Sequence, residues 1–436
     1  MKYYSTRKQS PFTSLKEAVI RGLAPDRGLY MPEFIPEIPK AFFNNVKDMS
    51  LQEMSFVVAN AFFKDDIDAA SLKDIVYDTL NFDIPLCRIG DSNIYSLELY
   101  HGPTMAFKDV GARFMARLLG YFNAMETEQS PINVLVATSG DTGGAVANGF
   151  YGVEGVRVFV LYPANKVSKI QESQFTTLGN NIFAIEVDGT FDDCQNLVKK
   201  AFLDYDLNNR MKLTSANSIN IARLIPQSFY YFYAYAKCIN NKNNNIVISV
   251  PSGNLGNLTA GLIAKKMGLP IKRFIAANNR NDVFFKYLTD GKFQPKPSVQ
   301  TIANAMDVGN PSNFERIVDL YAHSQSDICD DIKGYSYDDE IISETMRKCY
   351  VEEHYLLDPH GATAYKALTE NLNRNECGIF LETAHPAKFK ENVDAIIETD
   401  IPIPDKLVNF MNGIKCSIPL PHDFNALKIL LLSTVN

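Results

Sequence analysis

The 436-residue sequence has no tryptophan, only six histidines and no long apolar run. No apolar stretch approaches the roughly 20 residues that span a bilayer, so we expect no membrane helix. The histidines show no HxxxH or HExxH spacing, the pattern that sets two zinc ligands on one helix face, and we predict no metal site. The net charge of −7 and the lack of basic blocks argue against nucleic acid as a partner.

The cysteines are scattered and do not form recognisable pairs. There are seven of them, and none belongs to a CxxC motif. The chain begins without the apolar segment of a secretory signal. Reduced thiols are typical of the cytoplasm, so we expect a cytoplasmic protein.

The alternation of apolar runs and helical patterns predicts the fold. Short β-branched runs recur from about residue 132, and we expect strands at INVLVA (132–137), VRVFVLYP (156–163), IFAIEVDG (182–189), NIVISV (245–250), IKRFIAAN (271–278) and GIFLET (378–383). Continuous apolar strands separated by helices are typical of βαβ units. The sequence therefore predicts an α/β fold with doubly wound, mostly parallel sheets.

The length predicts more than one domain, at roughly 100–200 residues each. We predict a mainly helical N-terminal segment at residues 1–92 and an α/β body at 93–436. The stretch 290–345 carries several Pro, Asn and Gly residues and is predicted to be an insertion or lid. The run NNKNNN (240–245) is predicted to be a polar loop.

The loop Gly253-Asn254-Leu255-Gly256-Asn257 follows one predicted strand and precedes a helix. Ligands of open parallel sheets lie beyond the carboxyl ends of the strands. Glycines let the backbone approach closely, and N–H groups at a helix start bind anions such as phosphate. The loop has neither GK[ST] nor a full GxGxxG motif, so no nucleotide is implied. The competing interpretation is a plain strand–helix turn.

A second loop, ATSGDTGGAV (137–146), also connects a strand to a helix. Ser139 and Thr142 supply hydroxyls, and the glycines allow close approach. The alternative is a well-capped helix start, because Ser, Thr and Asp are the residues that such starts prefer. Both interpretations can hold together.

A third loop, TSANSINIAR (214–223), gathers hydrogen-bond donors. Asn217, Ser218 and Asn220 are followed by Arg223, about one helical turn beyond Asn220. A guanidinium is a forked partner for carboxylate or phosphate, so the loop is a candidate second anion site. A capped helix with a solvated arginine fits the same pattern.

The segment HGPTMAFKD (101–109) places Lys108 between Phe107 and the start of an apolar helix. A lysine that loses hydration there provides an amine that is a nucleophile or base. A lysine that bonds an aldehyde cofactor, together with a phosphate-binding loop, is what pyridoxal phosphate requires. Taken alone, Lys108 fits a solvated surface position better, and the combination of the four loops favours the cofactor.

Several motifs together resemble the threonine synthase family, pyridoxal-phosphate enzymes of fold type II related to tryptophan synthase β. The matching segments are YYSTRKQSPFTSLKEAVIRGLAPDRGLYMPE, HGPTMAFKD, TSGDTGGAVA, NKVSKIQESQ, NSINIARLIPQ, PSGNLGN, MDVGNPSNFER and LETAHPAKF. They run in the family's order over about residues 3–390. The resemblance implies a lyase that converts O-phospho-L-homoserine and water into L-threonine and phosphate, the last step of threonine biosynthesis.

The resemblance also implies roles for single residues at the cofactor. Lys108 would hold pyridoxal 5'-phosphate covalently and act as the catalytic base, and the loop Gly253–Asn257 would bind its phosphate. Thr383 would hydrogen-bond the pyridine nitrogen. Asp141, where related enzymes carry asparagine, would contact the cofactor hydroxyl or orient its neighbours.

The substrate's carboxylate and phosphate would be received by a further set of residues. The resemblance implies Thr104, Ser139, Thr142, Lys166, Asn217, Ser218, Asn220 and Arg223, with residues 100–240 as a smaller mobile subdomain that closes on the substrate. It does not decide between a monomer and a homodimer. The alternatives are a threonine/serine dehydratase, a phosphohomoserine phospho-lyase, or an inactive homologue that binds the cofactor.

Overall fold

The computed structural model describes residues 1–126, 130–239 and 245–434. The predicted polar loop at 240–245 lies outside the described residues except for its last position. Within these ranges the chain forms thirteen strands: β1 Tyr3–Ser5, β2 Tyr30–Pro32, β3 Leu86–Arg88, β4 Ile94–Glu98, β5 Ile132–Ala137, β6 Val156–Pro163, β7 Ile182–Asp188, β8 Lys212–Ser215, β9 Ile246–Pro251, β10 Ile271–Asn278, β11 Ile332–Ser336, β12 Cys377–Glu382 and β13 Ile418–Pro421.

Twenty α-helices occur in the same described ranges. They are α1 Leu15–Arg21, α2 Lys40–Asn45, α3 Leu51–Phe63, α4 Ala69–Thr79, α5 Lys108–Ala124, α6 Asp141–Phe150, α7 Lys169–Thr176, α8 Phe191–Leu203, α9 Tyr205–Arg210, α10 Ile221–Leu224, α11 Phe229–Cys238, α12 Gly256–Lys266, α13 Val283–Asp290, α14 Phe314–Leu320, α15 Gln325–Asp331, α16 Asp339–Glu352, α17 Pro359–Asn371, α18 Lys390–Ile397, α19 Asp405–Met411 and α20 Phe424–Ser433.

The chain divides into two compact units. The first unit contains Met1, Met31–Phe107 and Leu224–Pro402, and the second contains Lys2–Tyr30, Lys108–Arg223 and Ile403–Asn436. The separate segment at 1–92, the mobility of 100–240 and the lid at 290–345 stay predictions.

The sheet of the first unit has six strands in the order β11-β10-β9-β12-β4-β3. All neighbours are parallel except β3, which runs antiparallel to β4. Every residue of β9 and of β12 is buried, as expected for apolar strands covered on both faces. Helix α17 packs against β9, β10 and β12.

The sheet of the second unit has five parallel strands in the order β13-β7-β6-β5-β8. Its core includes Leu135, Phe159, Ile185, Leu197 and Leu427, all at most 1% exposed. The prediction of doubly wound, mostly parallel α/β sheets is confirmed for both units.

The strand order decides which loops become neighbours. In the first unit β9, β12 and β4 are adjacent and parallel, so the loops after them leave the sheet at one edge. In the second unit β8, β5 and β6 are adjacent and parallel in the same way. The loops singled out in the sequence follow these strands.

Two further features concern membrane-spanning helices and the cysteines. Among the described residues, no helix combines the length and the apolar character that crossing a membrane requires. All seven cysteines lie in the described ranges, and all are free.

The amino end of β12 is held by a buried carboxylate. Glu376 is fully buried, and its Oε2 accepts a hydrogen bond from Nη2 of Arg273 on β10 at 2.9 Å. Lys272 Nζ lies 2.8 Å from the other oxygen. Burial alone would raise the pKa of Glu376, but the bonds from Arg273 and Lys272 bring it well below its usual value.

We expect Glu376→Gln to lower the free energy of unfolding by about 3 kcal/mol at neutral pH, because Arg273 is left without its charged partner. A depressed carboxyl pKa contributes stability above the ordinary value of about 4.3 that is lost on further acidification. The difference between wild type and variant should therefore shrink as the pH falls below about 4.3. Urea unfolding at several pH values measures it. Glu344→Gln, at an exposed helical pair with Lys348, is the control and should change nothing measurable.

Candidate active site

In the first unit, the segment before Lys108 pairs with the segment after β12. The Phe107 N–H donates to the Thr383 carbonyl at 2.8 Å, and the His385 N–H donates to the Met105 carbonyl at 3.1 Å. Residues 105–107 are therefore held beside residues 383–385. Lys108 follows Phe107 directly and is the first residue of α5.

Lys108 is half-buried, as expected for a lysine at the start of a helix whose inner face is apolar. The turn before it is fixed by Thr104, which is fully buried, and by Lys388, which is 1% exposed. Lys388 Nζ donates to the Thr104 carbonyl at 2.8 Å. The sequence interpretation missed this buried lysine, although it lies in the quoted segment LETAHPAKF.

The loop Gly253–Asn257 has a backbone shaped for close approach. Leu255 adopts a left-handed conformation with φ 61°, and α12 begins at the next residue. A Cβ atom on Gly253 would lie 2.8 Å from Cα of Met306, so only glycine fits. The first N–H groups of a helix have no acceptor within the helix, and they favour an anion. This stretch fits the phosphate of pyridoxal phosphate.

The side chain of Asn257 holds the loop together. Its Nδ2 donates to the Pro251 carbonyl at 2.9 Å, and its Oδ1 accepts from the Leu258 N–H at 3.0 Å. Both ends of the amide bond the chain's own backbone. A contact between Asn257 and a cofactor stays a prediction.

Thr383 follows a buried carboxyl, Glu382, whose pKa is raised. Glu382 is fully buried, and its Oε1 accepts from the Asp358 N–H at 2.6 Å. Desolvation, with the charge of Asp358, raises the pKa of Glu382 well above its usual value. Thr383 itself is 6% exposed and carries a neutral hydroxyl. This pair suits a pyridine nitrogen that needs a hydrogen-bond partner rather than an ion pair.

Aromatic and imidazole groups surround this end of the first-unit sheet. His101 stacks on Tyr100 at 4.8 Å, and its Nε2 lies 2.7 Å from Oε2 of Glu98. Desolvation alone would raise the pKa of Glu98, but hydrogen bonds, first from His101 and then from Tyr355, bring it below its usual value. Burial lowers the pKa of His385 to about 4, and the charge of His101 acts in the same direction. His101 therefore belongs to a hydrogen-bonded network, and His385 stays neutral at physiological pH.

In the second unit, the loop after β5 is built around Thr138. Its Oγ1 accepts from the Gly140 N–H at 3.0 Å and from the Gly143 N–H at 2.8 Å. This leaves Ser139 exposed and Thr142 half-buried at the start of α6. The predicted capping function and an accessible hydroxyl therefore occur in one loop.

Asp141 is oriented by a residue that the sequence interpretation missed. Gln171 Nε2 donates to Asp141 Oδ1 at 2.9 Å, and Gln171 Oε1 accepts from the Ser168 hydroxyl at 3.1 Å. A Cβ atom on Gly140 would lie 2.6 Å from Cδ of Gln171, so this contact also requires glycine. Gln171 lies in the quoted segment NKVSKIQESQ, the signal that could have found it.

The loop after β8 uses its two asparagines differently. Asn220 donates to the Val19 carbonyl at 2.9 Å and to the Ser215 carbonyl at 3.2 Å, and its Oδ1 accepts from the Ala222 N–H at 3.0 Å. Its amide is engaged by backbone, and substrate contact by Asn220 stays a prediction. Asn217 Oδ1 is buried and has no hydrogen-bond partner among the described residues, so it suits a ligand donor.

Ser218 is half-buried, between Asn217 and the start of the short helix that carries Arg223.

The two predicted cations occupy contrasting environments. Arg223 is 3% exposed and bonds the Ala216 carbonyl. Burial lowers the pKa of Arg223 to about 10, and the charge of Asp109, itself 1% exposed, opposes that shift. Lys166 is exposed. Hydrogen bonds with Thr190 lower the pKa of Asp193, and the charge of Lys166 acts in the same direction.

Three family descriptions match the chain. Residues 84–379 match "Pyridoxal-phosphate dependent enzyme", residues 2–80 match "Threonine synthase N terminus", and residues 360–430 match "Threonine synthase, C-terminal". The chain is 44% identical to a threonine synthase of Haemophilus influenzae over 100% of both chains. It is 43% identical to that of Escherichia coli over 99% of this chain and 100% of the relative.

Solved structures resemble the chain over its whole length. Threonine synthase from Escherichia coli matches with a TM-score of 0.92 at 43% identity, covering 100% of both chains. A structure titled as PLP-bound threonine synthase from Brucella melitensis matches with a TM-score of 0.94 at 32% identity, again over 100% of both. Maize serine racemase matches at 16% identity with a TM-score of 0.53, covering 72% of this chain and 92% of its own, and shares the fold alone.

We expect Gly111→Ala to destabilise the protein, because its Cβ would lie 2.7 Å from the Arg223 carbonyl oxygen. Overpacking of this kind costs about 1–3 kcal/mol, measured as the free energy of unfolding in urea. Gly120→Ala on the same helix is the control, since its Cβ meets only a Val153 methyl at 3.2 Å. Because alanine favours helices over glycine, this control should be neutral or stabilising. Equal effects of the two substitutions would contradict the close approach of α5 to Arg223.

Proposed function

The chain belongs to the threonine synthase family of pyridoxal-phosphate-dependent enzymes, and we propose that it converts O-phospho-L-homoserine and water into L-threonine and phosphate. Its activity is the one that the family name states, and the protein is a carbon–oxygen lyase. One observation carries the assignment of residues. The Phe107 N–H donates to the Thr383 carbonyl, so the residue directly before Lys108 is held against the segment that carries Thr383.

We assign the cofactor contacts to five loop residues and three single residues. Bound pyridoxal phosphate supplies an aldehyde for a lysine amine and a ring that delocalises negative charge from the substrate carbon. Lys108 Nζ would hold the aldehyde carbon, and Thr383 would hydrogen-bond the ring nitrogen. The loop Gly253–Asn257 would bind the phosphate through backbone N–H groups. Asp141, oriented by Gln171, would contact the cofactor hydroxyl or orient its neighbours.

Lys108 also acts as the base of the reaction. With the substrate bound, Lys108 Nζ would be the base that removes the proton from Cα. In the overall reaction Cα and Cβ each lose a proton and phosphate leaves Cγ. Water supplies the hydroxyl at Cβ and a proton for the released phosphate, and protons return to Cα and Cγ. The neutral hydroxyl of Thr383 would leave the ring nitrogen less firmly protonated than a carboxylate partner would.

We assign the anionic groups of the substrate to residues that carry hydroxyl, amide or cationic side chains. Ser139 and Thr142 offer hydroxyls near a helix start, and Asn217 and Ser218 offer polar groups in the loop after β8. Arg223 contributes a buried positive charge, which is worth more in a dry environment than in water. Lys166 is the second cation, and Thr104 and Asn220 complete the proposed set.

Three finer assignments are also proposed, for location, partners and oligomeric state. The seven free cysteines support a cytoplasmic location. The acidic net charge supports a small-molecule substrate as the main partner and argues against nucleic acid and membrane surfaces. The protein is proposed to act as a monomer or homodimer.

Replacing Lys108 tests the proposed function directly. We expect Lys108→Ala to reduce threonine formation at least about 10³-fold, since it removes a general base and the covalent anchor. Free phosphate and threonine are measured with O-phospho-L-homoserine as substrate. Borohydride reduction followed by peptide mass spectrometry should place the cofactor label on Lys108 in the wild type. Lys169→Ala, at the exposed first residue of α7, should have no effect.

Two outcomes would contradict the proposal. One is a borohydride-stable label on a lysine other than Lys108. The other is 2-oxobutyrate as the main product from O-phospho-L-homoserine, which is the product of a dehydratase-type reaction.

A second test concerns Thr383. We expect Thr383→Val, which keeps the shape but removes the hydroxyl, to lower kcat about tenfold or more with KM changed by less than about threefold. Thr363→Val is the matched control, because Thr363 is a buried threonine of the same unit that bonds the Pro359 carbonyl within α17. It should keep the wild-type kcat. Equal kcat values for wild type and Thr383→Val would remove Thr383 from the cofactor assignment.

A further inference from the structure

The segment MDVGNPSNFER (306–316) packs against the loop Gly253–Asn257 but takes no part in the proposed reaction. A Cβ atom on Gly253 would lie 2.8 Å from the Met306 Cα and 3.1 Å from the Ala305 carbonyl oxygen. The loop therefore rests directly on the backbone of the segment. Ala305, the residue directly before the segment, is in turn held by His360, whose Nε2 accepts from the Ala305 N–H at 3.1 Å.

Two consecutive residues of the segment bind Asn254, one at its side chain and one at its backbone carbonyl. The Ser312 N–H donates to Asn254 Oδ1 at 2.5 Å, and Asn313 Nδ2 donates to the Asn254 carbonyl at 3.0 Å. Because a trans peptide is planar, its C=O and the next N–H point in opposite directions. Holding the Asn254 carbonyl towards Asn313 therefore turns the Leu255 N–H the opposite way.

This orientation matters for an anion site. A carbonyl oxygen that turned towards a phosphate would repel it, whereas an N–H group binds it. Leu255 already adopts a left-handed φ of 61°, which a residue with a side chain keeps only when its surroundings impose it. The bonds to Asn254 are contacts that impose it.

Arg316 decides which way the Asn313 amide faces. Its Nη1 donates to Asn313 Oδ1 at 2.8 Å, and both side chains are completely buried. A guanidinium only donates, so the amide must present its oxygen to Arg316 and its nitrogen to Asn254. Burial lowers the pKa of Arg316 to about 9, which still leaves it charged at neutral pH.

We propose that Arg316 and Asn313 are positioning residues that set the N–H groups of the loop Gly253–Asn257 for a phosphate group. Arg316 orients the Asn313 amide, and Asn313 fixes the Asn254 carbonyl. This inference rests on the proposed function, in which the loop binds the cofactor phosphate.

The experiment compares two ligands that differ only in phosphate. Dissociation constants of pyridoxal 5'-phosphate and of pyridoxal are measured by absorbance and fluorescence on the full chain after removal of cofactor. For Asn313→Ala we expect the pyridoxal phosphate constant to rise about tenfold or more and the pyridoxal constant to stay within about twofold. A merely structural role would weaken both ligands alike.

A second variant covers the case in which Asn313→Ala does not fold. Asn313→Asp keeps an oxygen for Arg316 and forms an ion pair with it, but it has no N–H for the Asn254 carbonyl. It should show the same loss that is selective for the phosphate-bearing ligand. The matched control is Arg273→Leu, which removes a partly buried guanidinium of the first unit that is bonded to Glu376 and to the Asn371 carbonyl. It should lower stability and leave the ratio of the two constants unchanged.

The outcomes separate this inference from the proposed function. A wild type that binds pyridoxal phosphate no more tightly than pyridoxal would remove the loop from the cofactor assignment. A wild type that discriminates between them and forms threonine, with Asn313 variants that keep the wild-type ratio, would overturn the positioning role alone.

Discussion

The bond from Phe107 N–H to the Thr383 carbonyl is the constraint on which the assignment of Lys108 depends. A lysine at a helix start is ordinary, and what distinguishes Lys108 is that the residue directly before it is bonded to the segment that follows β12. That position follows from β4 and β12 being parallel neighbours, so that the chain leaving β4 runs beside the chain leaving β12. The turn is then closed by Lys388, which is bonded to the Thr104 carbonyl. A covalent anchor for a rigid aromatic cofactor needs this kind of fixed backbone, because small displacements cost large factors in rate.

Several buried ionisable groups have shifted pKa values. Desolvation beside Asp358 raises the pKa of Glu382, and burial lowers the pKa of His385 to about 4. Arg223 stays charged, and Asp109 opposes the effect of its burial. Neutral groups at the proposed ring and cations at the proposed anion contacts match a reaction whose substrate carries the negative charge. Arg316 is a further buried cation, and it orders the Asn313 amide.

Much of the fold could be predicted from the sequence because its strands are continuous apolar runs. The expected strands at 132–137 and 156–163 coincide with β5 and β6, and that at 271–278 coincides with β10. The order of strands within each sheet could not be predicted, because every central strand has the same apolar character. Short edge strands such as β3 and β13 carry too few residues to show a pattern. The sequence therefore determined the elements and the fold class, and pairing of distant segments determined their arrangement.

For the candidate site, the sequence by itself determined residue types: a lysine, a glycine-rich loop, hydroxyls and amides at strand ends. Only the tertiary structure decided which of these groups are engaged by the chain itself. The side-chain amides of Asn220 and Asn257 bond the backbone, whereas the Oδ1 of Asn217 accepts no hydrogen bond from the described residues. Gln171 and Arg316 lie in the quoted segments NKVSKIQESQ and MDVGNPSNFER, but their roles come from partners brought close by folding. A hydrogen bond is short and directional, so its partner is fixed only once strands far apart in sequence have packed.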